Sequence, residues 1–98
     1  MNITKNLENG ILTVLLDGKL DTGTTPRATE EIEADIENAE QLILDMKDLK
    51  YISSAGLRLL LSLHKKMSQK GGMVIKNVND TNMEILEFTG FRDILNIE

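Results

Sequence analysis

Apolar residues recur along the chain in two rhythms. On either side of Asn9-Gly10, residues 3–7 and 11–16 read as strands joined by a tight turn, because Asn-Gly supplies the two positive φ values that such a turn needs. The second of these, Ile11-Leu12-Thr13-Val14-Leu15-Leu16, is almost continuously apolar and reads as a strand covered on both faces, closed by Asp17-Gly18. Ala28, Ile32, Ile36 and Ala39 then fall three or four apart, the period of a helix with one narrow apolar stripe. Pro26 suits its first turn, and Thr24 and Thr25 are candidate caps. Leu42-Ile43-Leu44 reads as a central strand and residues 45–53 as a loop. Residues 54–70 make a long apolar helix through Leu57, Leu60, Leu61 and Met67, widened by Leu59 and Leu63 and stopped by Gly71-Gly72. Met73-Val74-Ile75 is the next strand. Asn79 or Asp80 can cap a third helix with Met83, Leu86 and Phe88 as its apolar residues and Gly90 as its stop. Phe91, Ile94, Leu95 and Ile97 form a last short helix or a docked tail.

The order β-β-α-β-α-β-α predicts an α/β fold: a mixed four-stranded sheet, an N-terminal hairpin followed by β-α-β units, with helices packed against it. At 98 residues it is expected to be one domain. No apolar run approaches the length of a membrane span, and the N-terminus carries no apolar leader segment, so a cytoplasmic protein is expected. The formal charge of −5 disfavours direct nucleic-acid binding. Six acids between Glu30 and Glu40 crowd the first helix, while Arg58, Lys65, Lys66 and Lys70 make one basic patch on the second. That patch reads as a solvated face, or as a surface for an acidic partner or the acidic helix of a neighbouring molecule.

Catalytic chemistry is poorly supplied. With no Cys and one His, the chain offers no transition-metal set and no thiol nucleophile. His64 follows Ser54 by ten residues on the same expected helix, roughly 15 Å, far beyond the reach a nucleophile–base pair needs. Asp45 and Asp48 lack the spacing of a calcium loop, and there is no phosphate-binding glycine loop. An autonomous enzyme is not expected, nor any cofactor.

The segment Tyr51-Ile52-Ser53-Ser54-Ala55-Gly56-Leu57-Arg58 stands apart. A serine at a helix start ordinarily caps it, but capping needs only one. Two serines followed by Ala and Gly also suit close approach by another molecule, or a bulky group on a hydroxyl. Phosphate is the natural group there, since free N–H groups and the positive end of the helix dipole meet it, and it would add about −1.5 to −2 of charge. Capping and a phosphoswitch both remain open on the residues alone.

This segment joins Gly18-Lys19-Leu20-Asp21, Leu42-Ile43-Leu44-Asp45, Leu49, Gly71-Gly72 and Thr89-Gly90-Phe91 in an order that resembles the anti-sigma factor antagonist family, single-domain members of the STAS fold. The resemblance implies a partner switch. The unphosphorylated form would bind an anti-sigma factor that is also an ATP-dependent serine kinase, which frees the sigma factor. Phosphorylation of a serine at the start of the long helix would end the binding, and a phosphatase, often of the metal-dependent PP2C type, would reverse it. ATP would come with the kinase. The matching acceptor is Ser54, with Ser53 a rival because it stands where the family often has Asp; Ala55 replaces a following Ser or Thr. Asp21 matches the family's Asp after Gly-x-Leu and is expected on the partner surface, or else as a turn cap. Thr22, Gly23, Ser53, Ser54, Ala55, Gly56 and Arg58 are expected around it, with Gly56 allowing close backbone approach. The alternative is a non-phosphorylated STAS subunit of a transport or signalling assembly, in which Ser54 only caps the helix.

Overall fold

A computed structural model describes residues 1–98. The N-terminal hairpin pairs β1 (Asn2–Glu8) with β2 (Ile11–Leu20) antiparallel. Its turn is the expected one, with φ of 55° at Asn9 and 79° at Gly10. Then follow α1 (Thr25–Ile36), β3 (Gln41–Asp45), β4 (Leu49–Ile52), α2 (Ser54–Met67), β5 (Met73–Lys76) and α3 (Asp80–Thr89). A 3-10 turn at Phe91–Asp93 leads into a tail whose Ile97 bridges Ile75 on β5, which joins the two expected forms of the C-terminus.

The sheet has five strands rather than four. Its order is β1-β2-β3-β5, and β4 lies beside the far end of β2. Every pair except β1–β2 is parallel. The extra strand falls inside the expected loop 45–53. Its burial runs buried-exposed-exposed-buried, so Leu49 and Ile52 show no two-residue rhythm. The expected end of β2 at Asp17-Gly18 is likewise not found. The strand runs on to Leu20 through a register shift at Gly18, whose φ is 119°, a backbone angle that side-chain-bearing residues rarely adopt. Residues Ile11 to Leu15 of β2 pair with β3, and Gly18 to Leu20 pair with β4.

One face of this sheet makes the core. Leu12, Val14, Leu16, Leu42, Leu44, Met73 and Ile75 are buried there with Ala28, Ile32, Ile36 and Ala39 from the α1 segment and Leu57, Leu60, Leu63 and Met67 from α2. The other face of β2 is not covered as expected: Thr13 and Leu15 are half-buried and Ile11 is exposed. A strand with one face on the core alternates, and β2 does.

Lys66 and Lys70 are exposed, but their ammonium groups are engaged within the chain. The Lys66 ammonium pairs with Glu33 at 2.6 Å. Lys70 Nζ donates to the carbonyls of Ile36, Glu37 and Ala39 at 2.8, 3.1 and 3.0 Å, so a cation closes the C-terminal end of α1. The acidic helix that meets these two lysines is the chain's own. On α3, Phe88 is 94% exposed and is not a core residue. The buried side is set by Leu86 and Asn82, whose Nδ2 donates to the Leu49 carbonyl at 2.8 Å. Phe88 lies two residues past Leu86, about 200° round the helix.

Candidate functional site

The long β2 strand and α2 meet at one end of the molecule. The Ser53 N–H donates to the Leu20 carbonyl at 2.9 Å, which ties the start of α2 to the end of β2. Gly56 sets how closely they pack. A Cβ there would lie 2.9 Å from the Leu20 carbonyl oxygen and 3.0 Å from Ile52 Cγ2. Gly56 is buried, so the close approach it permits is to the chain's own β2 rather than to a partner.

Ser53 is the N-cap. Its backbone is extended, its hydroxyl accepts the Gly56 N–H at 3.2 Å, and its carbonyl accepts the Leu57 N–H at 2.9 Å. Ser54 is the first helical residue and is exposed, and its hydroxyl makes no hydrogen bond within the chain. The idea that Ser54 serves as the cap is therefore corrected: Ser53 holds that place, because only the residue before the first helical one has the extended backbone from which a side chain reaches forward. The N–H groups of Ser54 and Ala55 have no partner, and the first turn of α2 contains no acidic residue. The positive end of this helix is uncompensated.

Asp21 shapes the neighbouring β2–α1 turn. Its Oδ1 accepts the N–H groups of Gly23 and Thr24 at 2.9 and 3.0 Å. Its own N–H donates to Thr24 Oγ1 at 3.0 Å, and its carbonyl accepts the Thr25 hydroxyl at 2.6 Å. Neither threonine caps α1 through its side chain as expected. The Thr24 hydroxyl donates to the Lys19 carbonyl at 2.7 Å instead. The Thr24 N–H is the main reason that the Asp21 carboxyl sits below the ordinary aspartate range; burial opposes this, and the Thr24 hydroxyl, the Gly23 N–H and the Lys19 charge add to it.

Around this turn and helix start, Thr22, Gly23, Ser54 and Arg58 are exposed, and Ser53, Ala55 and Asp21 are partly so. All but Gly56 of the expected site residues thus share an accessible end. Two further residues border it. Lys19 and Tyr51 are register partners across β2 and β4, and Tyr51 is 44% exposed. Their pairing was hidden with β4 itself, since no alternation marked that strand. No group of His, Asp or Glu here is placed to hold a metal. His64 is half-buried, and its Nδ1 has no partner. No helix is long and apolar enough to cross a membrane.

The STAS domain family model matches residues 2–98. The anti-sigma F factor antagonist of Paenibacillus polymyxa is 31% identical over 102 residues, with 99% of this chain and 87% of that protein covered. Among solved structures, an anti-sigma factor antagonist from Mycobacterium paratuberculosis superposes with a TM-score of 0.88 at 18% identity, covering 98% of this chain and 83% of that one. The Bacillus cell fate determinant SpoIIAA in its phosphorylated form superposes with a TM-score of 0.76 at 17% identity, covering 99% and 91%.

Proposed function

The chain belongs to the STAS domain family, and from that premise we propose that it is an anti-sigma factor antagonist switched by phosphorylation of Ser54. Unphosphorylated, it binds an anti-sigma factor serine kinase and so releases the sigma factor. The kinase transfers the γ-phosphoryl group of its own ATP to Ser54 Oγ, the hydroxyl proton passes to a base of the kinase, and ADP leaves. The added charge ends the binding, and a PP2C-type phosphatase restores the free hydroxyl by hydrolysis. This domain is the substrate in both steps and not the catalyst. The carboxylate of the β2–α1 turn, Asp21, is already occupied by two backbone N–H groups.

The observation that carries this reading is the division between the two serines. Ser53 caps the helix, and Ser54 presents a free, exposed hydroxyl beside two unpartnered N–H groups. That favours Ser54 over Ser53 as acceptor, since the Ser53 hydroxyl is half-buried and already engaged with the Gly56 N–H. A phosphorylated relative by fold, SpoIIAA, is in keeping with it. Phosphopeptide mass spectrometry on the protein from its host, in growth and under stress, tests the reading. A phosphoryl group on Ser54 whose occupancy changes with conditions is expected. Unmodified Ser53 and Ser54 throughout, with the peptide fully covered, would overturn it.

A further inference from the structure

The outer face of α2 carries a strip that phosphorylation of Ser54 does not by itself explain. Arg58, Leu61, Ser62 and Lys65 line a shallow groove there. At 3.6 residues per turn, Ser54, Arg58, Leu61 and Lys65 fall within about 60° of arc, and Lys65 lies about 17 Å along the axis from Ser54. Arg58 and Lys65 are exposed, and Leu61 between them is half-buried. Neither cation has an ion pair, and α2 contains no carboxylate. Lys66 and Lys70 on the same helix are already bound by Glu33 and by the α1 carbonyls. On a chain with a formal charge of −5, this is a cationic strip with an apolar centre and no compensation from its own fold.

We propose that the strip is a docking surface for an acidic segment of the partner protein. The segment would present two carboxylates about 10 Å apart, the span from Arg58 to Lys65, with an apolar side chain over Leu61. Arginine suits this because its planar guanidinium holds a carboxylate through two parallel hydrogen bonds. The proposal rests on the partner-switch reading for the identity of the partner, the anti-sigma factor kinase. It also supplies the link to the switch. Ser54 stands one turn before Arg58, and helical side chains lean toward the N-terminus. A phosphoryl group on Ser54 therefore lies within reach of the guanidinium and competes with the partner's carboxylate for it, with no refolding of the domain.

The test is calorimetric binding of the intact chain to the purified anti-sigma factor kinase of the same host, at low and high salt, with a thermal melt of each variant. Arg58→Glu and Lys65→Glu are each expected to weaken binding about tenfold or more and to flatten its salt dependence. Arg58→Gln, which removes the charge without reversing it, is expected to weaken it less. Lys47→Glu makes the same charge change at a lysine without an ion pair between β3 and β4, and should bind as the unaltered chain does. Binding unaffected by the Arg58 and Lys65 changes, or weakened equally by Lys47→Glu, would overturn the strip and leave the partner-switch reading standing. An unaltered chain that does not bind the kinase at all would overturn that reading, and the strip with it.

Discussion

The Ser53 hydroxyl accepts the Gly56 N–H, whereas the Ser54 hydroxyl meets only solvent, so alanine should cost differently at the two positions. Ser53→Ala is expected to lose about 1 kcal/mol, the usual worth of an N-cap. Ser54→Ala should stay within about 0.5 kcal/mol of the unaltered protein while abolishing the phosphopeptide. Urea unfolding of both variants reads this directly, and equal losses would mean that the cap is shared. Asp21 gives a second test at this scale. Its folded pKa is depressed, chiefly by the Thr24 N–H. The carboxylate therefore contributes stability that is fully present above its unfolded value, near pH 4. That stability is lost as pH falls through the lower folded value. Asp21→Asn keeps an acceptor oxygen but does not titrate, so its stability should fall less steeply below about pH 4. An acid limb identical to that of the unaltered protein would exclude Asp21 as a contributor.

Among the elements, α3 shows how a buried polar group can decide which side of a helix faces in. Asn79 and Asn82 both donate to the Leu49 carbonyl. Those bonds fix the rotation of α3 against β4, and Leu86 follows them into the core while Phe88 points to solvent. Leu86→Ala should cost about 2–5 kcal/mol, and Phe88→Ser should stay within about 0.5 kcal/mol; chemical denaturation distinguishes them. A large loss at Phe88 would place it in the core after all. The α1 stripe, by contrast, was legible: Ala28, Ile32, Ile36 and Ala39 are all buried as their spacing implied. There the apolar period is unbroken, and the one buried polar residue of the helix, Thr25, satisfies its hydroxyl on the Asp21 carbonyl one turn back.

For the whole molecule, phosphorylation at Ser54 would take a chain already at −5 down by a further ~1.5 to 2 charges. The group would sit where α2 offers two free N–H groups and no acid. Its field should be stabilising at that end of the helix. The phosphorylated protein is therefore expected to melt no lower than the unmodified one, with amide shifts confined to the β2–α1 turn and the first two turns of α2. Heteronuclear correlation spectra and a thermal melt check this. A lower melting point with shifts across the sheet would mean that the switch works by refolding.

The chain by itself determined the hairpin, the order of elements apart from β4, the α1 stripe and the serine segment, because each depends on local geometry: turn angles, periodicity, and small residues at a helix start. Only the tertiary structure decided that β2 continues past Asp17, because Gly18 is a stop or a bulge depending on whether β4 lies beside it. It alone joined β4 to the sheet, turned Phe88 outward, and consumed Lys66 and Lys70 while leaving Arg58 and Lys65 free. It also decided which serine caps α2. That follows from the one bond by which Leu20 holds Ser53 in an extended conformation, a partner 33 positions away in the chain that no local pattern announces.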